Sequence, residues 1–186
     1  MPVTRRGFTL LEMLIVILVI GILISSLMIG AFESFRTAEA NNIINNMQQI
    51  KIAAFAWYKD NLSRIVLDSD SVYKIRTKGN DQDFAEFVLS RKSEILQYID
   101  KAGSITLRSS IEGSSDTREY LLTALDRNRK WYVCFDTDTS GASIKEKLAG
   151  RAKTLGLYGM DAEDIESVSD VYEGHKFVCM LILKLP

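Results

Sequence analysis

At 186 residues and 21.0 kDa, the chain has room for one ordinary folded domain plus an accessory element. Hydrophobic residues make up 47%, normal for a globular protein, but they crowd into a block near the N-terminus, and the remainder of the chain reads as soluble. A formal net charge of −1 argues against strong attraction to nucleic acid or anionic lipid.

The chain opens with a basic pair, Arg5 and Arg6, followed by an apolar run at residues 8–32 whose only charge is Glu12. About 20 apolar residues in a helix span roughly 30 Å, the hydrocarbon thickness of a bilayer. The arginines should stay on the cytoplasmic side, leaving the bulk of the chain beyond the membrane. An ordinary secretory signal needs a shorter core and a small-residue cleavage site. Its best candidate here, around Ile29-Gly30-Ala31, matches poorly. A plain anchor explains the length of the run but not Glu12. A charge at mid-membrane costs about 2.5–3.5 kcal/mol on insertion scales, so such a residue calls for a partner.

The string Arg5-Arg6-Gly7-Phe8-Thr9-Leu10-Leu11-Glu12 resembles the cleavage motif of type IV pilins and type II secretion pseudopilins. The resemblance covers roughly residues 5–35. It implies that a prepilin peptidase cuts after Gly7, on the cytoplasmic side, and methylates the new terminus at Phe8. Glu12 then becomes the fifth mature residue. Its carboxylate can neutralise a neighbour's amine in a low-dielectric filament core, or pair with its own N-terminus, where a helix also favours an anion. Removing residues 1–7 takes Arg5 and Arg6 away, so the 23 basic residues fall to 21 against 24 acidic ones. The sequence departs from the family in one respect. Type IV pilins commonly carry a proline about twenty residues after the cut, whereas the only prolines here are Pro2 and Pro186. Gly21, Gly30 and the Ser25-Ser26 pair are the soft points instead, and minor pilins and pseudopilins stay open.

Beyond the membrane run, Ile43, Met47, Ile50, Ala54 and Trp57 form a stripe at helical spacing, with no proline or glycine at residues 33–61. One helix at residues 8–58, about 75 Å long, is expected, half in the membrane and half amphipathic. Trp57 and Tyr58 lie too far beyond the apolar run to be interface anchors and are assigned to a core. Residues 59–80 read as polar and turn-rich. Helical spacing covers residues 83–99, a short strand 104–108, and a helix 118–125. The clearest strand is 130–135, rich in aromatic and β-branched residues. A basic helix at 143–155 comes next, then a second helix at 161–168 with an acidic first turn, and a terminal strand at 175–183. The expected class is α+β: a long helix on a small antiparallel sheet, pilin-like. The domain division is a leader at 1–7, a transmembrane and filament-core helix at 8–32, its amphipathic continuation at 33–60, and an extracytoplasmic domain at 61–186.

The exported compartment is oxidising, so Cys134 and Cys179 are read as one disulfide, against the alternative of two buried thiols. Placing both on strands would tie the C-terminal strand to its neighbour. The segment Asp136-Thr137-Asp138-Thr139-Ser140-Gly141 resembles half a calcium loop, with Asp136, Asp138 and Ser140 as oxygen donors. Some pseudopilins bind calcium in their C-terminal region. The twelfth position is Lys147 rather than a glutamate, so a turn with a helix cap is the preferred reading and no cofactor is expected, with calcium as the alternative. Arg127, Arg129 and Lys130 before Trp131 and Tyr132 mix basic and aromatic residues, as a DNA-uptake patch would. They are read as charges at the start of a strand, with nucleic acid disfavoured as a partner. The lone His175 is read as structural. No nucleophile elbow, P-loop or paired-cysteine motif occurs, so a non-enzymatic protein is expected.

The expected function is a structural subunit, major or minor pilin or pseudopilin, of a type IV pilus-like filament. The resemblance implies as partners other pilin or pseudopilin subunits, prepilin peptidase, a membrane assembly platform with a cytoplasmic ATPase, and the lipid bilayer. The expected location is the cytoplasmic membrane, then a filament in the periplasm or at the cell surface. Two rivals remain: a filament-borne binding module for DNA, a surface or secreted cargo, and an unrelated membrane-anchored extracytoplasmic domain.

Overall fold

The computed structural model describes residues 8–68, 70–76, 81–82, 94–99, 105–108, 119–161, 168–169 and 171–186. Helix α1 (Leu10–Asp60) runs unbroken for 51 residues, through both glycines and the serine pair. The chain divides into two compact units at Ala38 and Glu39, so α1 belongs to both.

In the first unit α1 is apolar on every side. An 18-residue window of the helix has mean hydropathy 2.9, and none of it is buried within the protein. Its hydroxyls are turned inward. Ser25 Oγ donates to the Gly21 carbonyl at 2.8 Å, Ser26 to Leu23 at 2.8 Å, and Ser34 to Gly30 at 3.0 Å. Bonding back to the preceding turn spares these groups the cost of an unmatched hydroxyl in an apolar medium.

In the second unit the same helix has one buried stripe: Ala40, Ile43, Ile44, Met47, Ile50, Ala53, Ala54 and Trp57. The steps of three and four are what a core-facing helix requires. This stripe shares a core with Tyr120, Leu122, Trp131, Val133, Phe135 and Met180. Those residues come from a five-stranded sheet of order β4 (Thr106–Arg108), β5 (Glu119–Leu125), β6 (Lys130–Asp136), β8 (Phe177–Lys184), β7 (Leu157–Met160). A smaller antiparallel sheet holds β1 (Ile65–Leu67), β2 (Tyr73–Arg76) and β3 (Asp81–Gln82) in that order. Alternation along β6 divides its side chains between two cores. Trp131, Val133 and Phe135 join α1, while Tyr132 and Cys134 pack with Leu121, Met160 and Phe177. Helix α2 (Ala142–Leu155) buries Ile144, Leu148 and Ala152 in the α1 core and ends on Gly156, whose φ of 63° is the left-handed stop that glycine allows.

The fold is α+β, with a long N-terminal helix packed on the sheets, as a pilin-like fold requires. Three local expectations change. Residues 119–125 are strand β5, not helix. Leu and Ala favour helix only weakly, and six register pairs with β6 override that preference. β1, β2 and β7 occupy stretches that carry too few residues to show a period. The large sheet is mixed, because β4 pairs with β5 in parallel. Most of the expected helices at 161–168 and 83–99, residues 162–167 and 83–93, lies outside the described residues.

The β5–β6 turn is unusual: Asp126, Arg127 and Asn128 all have positive φ, at 55°, 56° and 62°. Such backbone persists where surrounding bonds hold it. Here Asn128 Nδ2 donates to the Tyr73 carbonyl at 2.8 Å, and the Tyr73 N–H donates to the Arg127 carbonyl at 3.2 Å. The turn is thereby stitched to β2.

Candidate functional site

At the start of α1 the chain builds a reciprocal pair. Phe8 and Thr9 lie outside the helix, which begins at Leu10. The Thr9 carbonyl accepts the first helical bond, from the Met13 N–H at 3.3 Å. Thr9 is therefore the N-cap and Glu12 the third helical residue. The Thr9 N–H donates to Glu12 Oε2 at 2.8 Å, and the Thr9 hydroxyl donates to the same oxygen at 2.9 Å. In return Thr9 Oγ1 accepts the Glu12 N–H at 3.3 Å. This is a capping box, which satisfies two of the donors that every helix N-terminus leaves open.

The carboxylate at Glu12 thus serves its own helix, and it sits where the helix dipole favours a negative charge. Both cap bonds converge on Oε2, so Oε1 takes no part in the cap. Phe8 precedes the cap and is 75% exposed. Gly7, the other side of the expected cut, lies outside the described residues. Sequence reasoning misses Thr9, although its signal is plain: a threonine, two residues, a glutamate, then an apolar run.

The remaining candidates fall elsewhere and do not converge on this site. Cys134 and Cys179 are direct register partners on β6 and β8, bonded as a disulfide with Cα atoms 4.0 Å apart and fully buried. The bond ties the C-terminal strand to its neighbour.

In the calcium-like segment, Asp136 Oδ1 accepts the Asp138 N–H at 3.0 Å, and Lys145 Nζ sits 2.7 Å from Asp138 Oδ1. The lysine takes the place of a cation at that carboxylate. Ser140 is buried, and its N–H donates to the Thr137 carbonyl at 3.0 Å. Among the described residues no group of three or more His, Cys, Asp or Glu is placed to hold a metal. The turn forms and leads into α2, whose N-cap is Gly141 and makes no side-chain bond.

At the basic stretch, Trp131 and Tyr132 are only 2% and 7% exposed, so neither offers a face for base stacking. Lys130 Nζ lies 3.4 Å from Asp126 Oδ2.

His175 packs over Gly159. A Cβ at that glycine would collide with His175 Nδ1 and stand 2.6 Å from Ser169 Oγ, so any other residue there would force those side chains to move. Burial pushes the Tyr132 and Tyr172 hydroxyls above the usual tyrosine range. Tyr172 also donates to Thr137 Oγ1 at 3.3 Å.

A family model described as the prokaryotic N-terminal methylation motif matches residues 4–28. Neither the curated proteins nor the solved structures include a match to the chain. The matched span contains Gly7, Phe8 and the Thr9–Glu12 box, and extends into the apolar part of α1. The motif implies pilin subunits and prepilin peptidase as general partners, and with the apolar helix it points to membrane anchoring before assembly. The chain carries the prepilin-type signature of type IV pilins and pseudopilins on a pilin-like α+β fold.

Proposed function

We propose that the chain is a structural, non-enzymatic subunit of a type IV pilus-like filament or secretion pseudopilus. It enters the cytoplasmic membrane through residues 8–32 and is cut by prepilin peptidase between Gly7 and Phe8. It is then methylated at Phe8 and drawn by a membrane assembly platform into the filament, with residues 61–186 outermost.

The observation that carries this reading is Glu12, the only charge in the apolar run at residues 8–32, a stretch its own chain does not cover. Cutting after Gly7 creates a cationic amine at Phe8. In a core formed from several such helices, the carboxylate of one subunit and the amine of another neutralise each other. Each would be costly there alone. Oε1 is the oxygen left for that pairing. The unbroken, proline-free helix favours a minor pilin or pseudopilin over an ordinary major pilin.

Substituting Glu12→Ala in the full chain, in its native cell, tests the reading. The variant should remain in the membrane fraction and be depleted from sheared or cross-linked filaments. Equal assembly of variant and parent would contradict the proposal and favour a plain membrane anchor.

A further inference from the structure

The end of the large sheet that carries the β5–β6 turn gathers more positive charge than it matches. Lys130 and Lys184 are direct register partners on β6 and β8, and like charges set opposite each other on antiparallel strands repel. Lys184 is exposed, and so is Arg127 in the turn. Arg129 belongs to the same end, where its carbonyl accepts the Leu185 N–H at 2.7 Å. The Asp126 carboxylate, 3.4 Å from Lys130 Nζ, is paired with that lysine. A second observation is independent of the charge pattern. Arg129 Nε is enclosed and has no hydrogen-bond partner. A guanidinium stays charged, so an enclosed N–H of that group without an acceptor is costly. The side chain loses no bond at Nε in turning toward an incoming oxygen. The backbone beneath it is fixed by contrast: Trp131 Nε1 donates to the Asn128 carbonyl at 2.9 Å, in addition to the bonds that hold the turn to β2.

An arginine on a rigid turn suits a planar oxyanion, because a carboxylate can accept two N–H groups from one edge of the guanidinium. The charge balance names the source of such carboxylates. Setting aside Arg127, Arg129, Lys130, Lys184 and Asp126 leaves the mature chain with 17 basic and 23 acidic residues. A copy of this chain is therefore an anionic partner for the patch. The surplus acids lie outside the patch, so the contact is head-to-tail, and contacts of that kind grow an open filament unless they close into a ring. Resting on the proposed filament, we infer that the turn bearing Arg127 and Arg129, with Lys184 beside it, docks carboxylates of a second copy of the chain.

A carbodiimide joins a lysine amine to a carboxylate in contact with it and adds no spacer. The test applies it to the full chain in its native membrane or filament fraction, isolates the cross-linked dimer and maps the joined peptides by mass. Lys184 should be joined to an Asp or Glu of the second copy. Lys184→Arg, which keeps the charge but not the reactive amine, should lose that dimer. Arg127→Glu and Arg129→Gln should each lower it roughly tenfold, the size of one charge-assisted hydrogen bond. Salt at about 1 M, which shortens the screening length to about 3 Å, should do the same. Arg127 is exposed, so Arg127→Glu decides the matter even if Arg129→Gln misfolds. Dimers joined only at other lysines, a yield unchanged in Arg127→Glu, or Lys184 joined to a different protein would overturn the inference. So would single-stranded DNA retained by the parent and released by Arg127→Glu, which would mark a nucleic-acid site. Those results leave the proposed function standing if the chain begins at Phe8. A chain that joins no second copy and retains residues 1–7 defeats both.

Discussion

The two halves of α1 are one helix with opposite solutions to the same problem. In the first half Leu14, Ile17 and Leu27 are 55%, 69% and 73% exposed. In the second, Ile43, Met47 and Ile50 are at most 3% exposed. Backbone geometry does not distinguish them. The arrangement of apolar side chains does. An all-round apolar surface cannot be covered by one sheet lying on one side, so it needs lipid or other helices. A single stripe needs only one face, and the sheet supplied by the same chain covers it. The first half is therefore expected to depend on partners and the second to stand by itself.

The largest effect that would sharpen this contrast is in the self-sufficient half. Trp57 is 1% exposed, packs with its ring centroid 6.3 Å from that of Trp131, and shares a core with the sheet. Trp57→Ala should cost about 3–5 kcal/mol of stability in chemical denaturation of the full chain in detergent. Membrane retention should be unchanged, because residue 57 lies outside the anchoring run.

The reverse pattern is expected for Ile17→Asp. An acidic side chain at mid-helix should cost about 2.5–3.5 kcal/mol of insertion, read as release from the membrane fraction, with the denaturation midpoint of the outer unit unmoved. If either variant produced both effects, the two halves would not be independent.

Removing the disulfide comes next. Cys134 and Cys179 close a loop with a sequence separation of 45, so the double Cys→Ala variant should lose about 2–4 kcal/mol in the same denaturation assay.

The smallest effect is alkaline. Burial raises the Tyr172 pKa above its ordinary value of about 10. The native state therefore keeps that proton at pH values where the unfolded chain has lost it, and stability falls as pH rises. The loss should begin near the ordinary tyrosine pKa and continue through the raised native one, with nothing at neutral pH. Tyr172→Phe should flatten that decline in midpoints measured across the alkaline range.

Legibility of the sequence runs along the same division. The helix stripe of Ile43, Met47, Ile50, Ala54 and Trp57 could be read because its period is local, and all five residues are buried. The aromatic strand β6, the strand β8 and the helix α2 were legible for the same reason, to within one or two residues at most ends. β5 was not, because Glu119-Tyr120-Leu121-Leu122 reads equally well as helix, and its identity is decided by pairing with residues in β6. β7 is fixed by β8, some twenty residues on, and its Gly159 by His175. Such contacts between distant residues leave no period in the sequence. At the N-terminus, Gly7, Phe8 and Glu12 stood out because a charge in an apolar run is locally anomalous. Thr9 did not, since a threonine there is ordinary until its hydroxyl is seen against the glutamate.

The central claim is that this chain is processed as a pilin-type precursor, and the most direct measurement is its N-terminus in the cell. Intact-mass and N-terminal peptide mass spectrometry on protein from its native membrane or filament fraction should show a chain that begins at Phe8 and carries one added methyl group. A chain that retains residues 1–7, or one cut near Ala31, would contradict the account.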